Sequence, residues 1–383
     1  MKFLVLTLSG LLLLTSMTYA SSNDESTIDP PKAGITKTKF GSFPDGREAD
    51  LFTLRNAKGM VVQITNYGGY IVSWTAPDKA GKQEEIILSV PTFDDYLKGT
   101  PSLGPIIGRF GNRIANGKFT IDGQEYTLAQ NNNGNHIHGG PIGFDKQLWQ
   151  ARIIDGKESS LVLGYLSKDG DQGFPGNLAV TVTYTLQNDN ALRIDYEATT
   201  DKPTIINLTN HTYFNLSGLK HDVLNHELMV VANKYLPTDP KQIPTGELKP
   251  VAGTPFDFTR PTAISTHIND TTDTQIRYGK GYDHCWVFTN LSKGLKLGAT
   301  VYEPTSGRFM EMYTTEPAVQ VYTANNLNGK LLNKDGVALT KRFGVCLETE
   351  HFPDAPNHPN FPTTVLRPNE TYKSTTVYKL SVK

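Results

Sequence analysis

The sequence predicts an all-β protein built as a large sandwich of antiparallel sheets. Three observations point there: segments that alternate apolar and polar residues recur along the chain, hairpin-type turn residues separate them, and helical periodicity is scarce. Met60 to Thr65 is the first such strand. Thr92 to Leu97 is the best short helix. Lys118 to Leu128 folds back on itself at Asp122-Gly123, a strong short-range hairpin signal. Ser160 to Leu166 follows. Leu178 to Leu186 alternates strictly and is rich in β-branched and aromatic residues, and Asn188-Asp189-Asn190 turns it into Ala191 to Ala198. Leu295 to Tyr302 and Arg308 to Tyr313 complete the series.

The ends and the composition bound the rest. Lys2, an apolar run from Phe3 through Leu14, and Thr18-Tyr19-Ala20 ahead of Ser21-Ser22-Asn23-Asp24-Glu25 have the order of a secretory signal peptide, residues 1–20. The run is too short for the ~20 residues that span a bilayer, so no membrane association is expected after cleavage, and the mature protein is expected in the periplasm or outside the cell. Residues 21–36 read as a disordered leader. Residues 37–383 read as one domain, with no linker or short repeat. The 37 basic and 38 acidic residues include no basic block, which argues against nucleic-acid binding. The two cysteines, Cys285 and Cys346, are expected to be buried free thiols, because a core this large does not need a staple.

Five stretches could carry chemistry. Gly104 to Ile114 is glycine-rich but lacks the Lys-Ser or Lys-Thr of a phosphate loop; Asn112 and Arg113 there are either sugar-hydroxyl donors or part of a surface turn. Asn135-His136-Ile137-His138-Gly139-Gly140 sets two histidines on one face if extended, which begins a metal site or serves a polar pocket by hydrogen bonding. Asn207 to Leu216 crowds polar and aromatic residues around His211; its sequon-like triplets fit glycosylation, and a buried structural histidine is the ordinary reading. Gly281-Tyr282-Asp283-His284-Cys285-Trp286 and Phe343 to Glu350 each place a carboxylate in an apolar strand, where it is costly unless paired; one of Glu348 and Glu350 could complete a structural ion pair.

Together and in this order, with the tail Glu348-Thr349-Glu350-His351-Phe352-Pro353-Asp354-Ala355-Pro356-Asn357, these segments resemble the aldose 1-epimerase (galactose mutarotase) family from about residue 40 onward. The resemblance implies the galactose mutarotase type of β-sandwich and a small-molecule aldose substrate. It implies that Glu348 is the general base, that His211 is the general acid and that His138 assists near the ring oxygen. Asn112, Arg113, Tyr213, Asp283 and Gln320 are expected to bind the sugar. No metal or cofactor follows, since ring opening needs only proton transfer. A monomer or homodimer is expected. Gly111 departs from the family's common alanine and Tyr282 from its phenylalanine. A glycoside hydrolase, a non-catalytic sugar-binding module and a phosphosugar epimerase are the rival readings.

Overall fold

The computed structural model describes residues 33–383, with Met1, Lys2 and Leu4. The expected signal peptide and most of the expected leader lie outside the described residues. Residues 34–36, expected in the leader, already belong to a strand. Gly34–Ser42 is paired antiparallel with Glu48–Arg55, and Ile35 packs against the main core. Residues 34–36 carry too little periodicity to reveal this alone; the Asp45-Gly46 turn and the partner strand hold them.

The strands expected from alternation are present, as Val61–Thr65, Lys118–Ile121 with Gln124–Thr127, Ser160–Ser167, Leu178–Leu186, Ala191–Thr200, Lys296–Tyr302 and Arg308–Thr314. In Leu178–Leu186 every second residue is buried, as a strand with one face on a core requires. The short helix is Phe93–Lys98, capped by Thr92, whose side chain accepts from the Asp95 amide.

Two sheets carry the architecture. A nine-stranded antiparallel sheet runs in the order Gln150–Ile154, Ser160–Ser167, Leu178–Leu186, Ala191–Thr200, Tyr372–Val382, Arg308–Thr314, Lys296–Tyr302, Glu227–Val230, Thr262–Ala263. A six-stranded antiparallel sheet runs Tyr213–Phe214, Val345–Glu350, Ala318–Tyr322, Asp283–Phe288, Ala232–Leu236, Lys249–Pro250. One face of the smaller sheet, with Trp286, Val319, Val321, Val345 and Leu347, shares a buried cluster with Val182, Tyr196, Met310 and Tyr378 of the larger. Tyr378 also donates its hydroxyl to Leu347 O at 2.8 Å, fixing the two sheets at that point.

Register decides what the other face presents. Gln320 lies opposite Glu348, and Cys285 opposite Gln320, so these side chains point the same way, with Asp283 and Glu350 two residues along. Among the described residues no helix is long and apolar enough to cross a membrane.

Candidate active site

The outer face of the six-stranded sheet is apolar at two corners and polar between them. Tyr213, Tyr322 and Cys346 belong to one hydrophobic cluster, and Cys285 and Ala318 to another. Asp283, Gln320, Glu348 and Glu350 lie in the strip between, all buried. Both cysteines are free, and burial pushes both thiols up.

The remaining groups reach this strip by short pairings. Thr209–Asn210 pairs with Ile106–Ile107, and Tyr213–Phe214 with Val345 and Cys346, which carries His211 to the strand of Glu348. Arg113–Ile114 pairs with His136–Ile137, bringing the glycine-rich turn and the His-Gly-Gly segment together. The tail braces the same turn: Asp354 accepts from the Ala115 amide at 2.9 Å and donates its own amide to Arg113 O at 2.8 Å.

His211 Nε2 stands 3.4 Å from Glu348 Oε1. Its ring stacks on Tyr213, with centroids 5.1 Å apart, and meets His138 edge-on at 5.3 Å. His211 Nδ1 lies 3.5 Å from Cys346 Sγ. Burial drives the His211 pKa down to about 4. Burial, then the Glu350 and Asp283 charges, push Glu348 well above the usual carboxylate range, against the pull of Arg113. Glu350 is raised for the same leading reason. A low dielectric thus favours the neutral form of each member of the pair. Glu348 Oε2, Glu350 Oε2 and Gln320 Oε1 are buried without a hydrogen-bond partner among the described residues, so these atoms are available to a polar ligand.

The other expected residues form a linked set. Asn112 donates to Glu350 Oε1 at 3.0 Å and accepts from the Arg113 amide at 2.9 Å. Gln320 Nε2 donates to Asp283 Oδ1 at 2.7 Å. Arg113 is buried, not a surface residue, and its NH2 lies 3.8 Å from Asp283 Oδ2. Gly111 sits where a methyl group would come within 3.1 Å of Glu350 Oε2, so the glycine makes room for that carboxylate.

The structure refines four readings of the sequence. His136 and His138 do not share a face, because His138 adopts a left-handed φ of 52° and turns the chain. His136 instead bonds Ala129 O at 2.9 Å beside Phe174, in a small core of its own. At Gly139, φ 78°, a Cβ would strike Gly108 O, which is why the turn needs glycine. Tyr213 is spent on structure: it is buried, and its hydroxyl donates to Pro101 O at 2.8 Å, so it meets the site as a platform for His211. The three sequon asparagines, Asn207, Asn210 and Asn215, are buried and bonded to backbone, which leaves no room for a glycan. Glu348 faces His211 and Glu350 accepts from Asn112, while a further ion pair forms beside the strand, His351 Nδ1 lying 2.5 Å from Glu316 Oε2. That pair lines a separate cavity of about 880 Å³ containing none of the expected site residues.

His138, His211 and Glu348 also offer ligand atoms within 4.8 Å of one another. The hydrogen bonding does not suit a metal. His138 Nδ1 accepts from the Asn112 amide at 3.1 Å, so the neutral ring keeps its proton on Nε2, whereas a ligating histidine donates its second nitrogen outward. The arrangement is a buried carboxyl–imidazole pair with hydrogen-bonding groups around it.

A family model described as Aldose 1-epimerase matches residues 50–379. The chain is 41% identical over 350 residues to a galactose mutarotase of Rattus norvegicus, covering 91% of this chain and 99% of that one. It is 42% identical over 338 residues to an aldose 1-epimerase of Escherichia coli (strain K12), covering 88% and 96%. The crystal structure of a galactose 1-epimerase from Lactobacillus acidophilus superposes with a TM-score of 0.81 at 29% identity, covering 92% of this chain and 99% of that one.

Proposed function

The chain belongs to the aldose 1-epimerase family and interconverts the α and β anomers of aldoses, and we propose that Glu348 and His211 perform the two proton transfers. Glu348 takes the proton of the C1 hydroxyl while His211 delivers one to the ring oxygen. The C1 hydroxyl oxygen becomes the aldehyde oxygen as the bond from C1 to the ring oxygen breaks. Rotation about C1-C2 presents the other face, and the same two groups return the protons in reverse. His138, with its proton on Nε2, stabilises the ring oxygen. Asn112, Arg113, Asp283 and Gln320 hold the sugar hydroxyls.

The observation that carries this reading is the pairing of a carboxylate raised by burial with an imidazole depressed by it, 3.4 Å apart. Ring opening converts carboxylate and imidazolium into carboxylic acid and imidazole. That change discharges two buried charges, so the surroundings favour the open-chain stage. The pair works with one proton between its members. Activity is therefore lost on the acid side as His211 takes a second proton, near its pKa of about 4, and on the alkaline side as Glu348 gives up the last. Asp283 suits a hydrolase acid poorly, because both its oxygens already accept hydrogen bonds.

Polarimetry of freshly dissolved α-D-galactose tests the assignment. Glu348→Gln should lower kcat ~100-fold or more with KM little changed. His211→Asn should act alike, and the double variant should be little worse than the poorer single one, because the two act as a unit. A Glu348→Gln enzyme with wild-type turnover would overturn it.

We propose further that residues 1–20 direct export. The support is the order of Lys2, apolar run and small residues at Thr18-Tyr19-Ala20. N-terminal sequencing from the native host should begin near Ser21; an intact Met1 in the cytosolic fraction would sink the idea.

A further inference from the structure

One side chain outside the expected set hydrogen-bonds two members of it. Gln242 Nε2 donates to Asp283 Oδ2 at 2.5 Å, and Gln242 Oε1 accepts from Arg113 NH2 at 2.7 Å. Arg113 and Asp283 themselves stand 3.8 Å apart, so the carboxamide is interposed between the guanidinium and the carboxylate.

The charges fix which way the amide faces. Reversed, it would set its oxygen against a carboxylate and its N-H groups against a guanidinium, so only one orientation is stable. The backbone is held as firmly. Asp239 accepts through Oδ1 from the amides of Lys241 and Ile243, and through its carbonyl from that of Gln242, which fixes Gln242 at a left-handed φ of 64°. A non-glycine residue keeps such a conformation only where its surroundings over-determine it. Each side-chain atom uses one hydrogen-bonding position on its charged partner, leaving Nε2 a second N-H and Oε1 a second lone pair. Gln242, Asn112, Asp283 and Gln320 also line one small cavity, so those free positions belong to the same polar wall.

We propose that Gln242 is a specificity-determining residue: it reads, by donor and acceptor, a sugar hydroxyl held by Asp283 and Arg113. The proposal rests on the reading that those two residues hold hydroxyls. A site built to hydrogen-bond a hydroxyl rejects the analogue that lacks it, because its own polar groups are then left unpaired. Discrimination at one hydroxyl should therefore pass through this carboxamide.

The test is kcat/KM by polarimetry for D-galactose, D-glucose and a set of singly deoxygenated galactoses, with wild type, Gln242→Leu and Gln242→Ala. Wild type should reject one deoxy sugar strongly, and both variants should relax that ratio ~10-fold or more. The proton-transfer pair is untouched, so the loss on the parent sugar should fall on KM more than on kcat. Unchanged ratios for every sugar, or an equal fall in kcat for all of them, would overturn the proposal. Asp283→Asn separates the two levels. If it weakens sugar binding while the Gln242 ratios stay fixed, only Gln242 is misassigned; if it leaves binding intact, the underlying reading fails as well.

Discussion

Along Val345–Glu350, alternate residues face opposite environments. Val345 and Leu347 join the core between the sheets, with Trp286, Val319 and Val321 beside them. Glu348 and Glu350 face the polar strip, both buried and both raised by burial, each with one oxygen unpartnered among the described residues. Both faces are shielded from water, so burial alone does not separate them. The inner face is satisfied by packing. The outer face keeps raised carboxyls and free lone pairs that a hydroxylated ligand can complete. Apolar packing is thus concentrated on one side of the sheet, and buried polar groups on the other.

The largest break in this comparison is expected from the inner face. Trp286→Ala should destabilise the fold by about 3–5 kcal/mol through lost burial and the cavity left behind. Its indole N-H donates to Phe256 O at 2.9 Å, which the variant also leaves unpaired. Chemical denaturation should show an earlier midpoint, while the folded fraction keeps kcat within a few fold. Unchanged stability would mean that the core does not hold the strip. The smallest effect sharpens the contrast from the outer face. Glu350→Gln removes a charge that helps hold Glu348 high, so Glu348 releases its proton at lower pH. The alkaline limb of the kcat/KM profile should move down, with stability kept. A limb that stays put would show that the two carboxyls do not share their titration.

How much of this was legible depended on sequence distance. Period-two alternation exposed the hairpins because both strands of each lie close together. Asp283 and Glu348 stood out because a carboxylate inside an apolar strand is costly, whereas Gln320 came only from the family resemblance. Signals that arise only across space were hidden. Gln242 sits in an ordinary polar turn, 41 residues from Asp283, and nothing local marks it. The split of His136 from His138 depends on one left-handed residue, which the following glycines hint at but do not fix. The roles of Glu350 and Gly111 depend on their contact with each other across the site, and the Glu316–His351 pair joins residues 35 apart in the sequence.

The centre of the nine-stranded sheet has a consequence for how the chain is made. Tyr372–Val382 lies between Ala191–Thr200 and Arg308–Thr314, and Thr375 faces Asp195, 180 residues earlier. During synthesis the half-sheet ending at Ala191–Thr200 therefore waits with an open edge until this late strand arrives. That is a high contact order, which slows folding and leaves an unpaired edge exposed meanwhile.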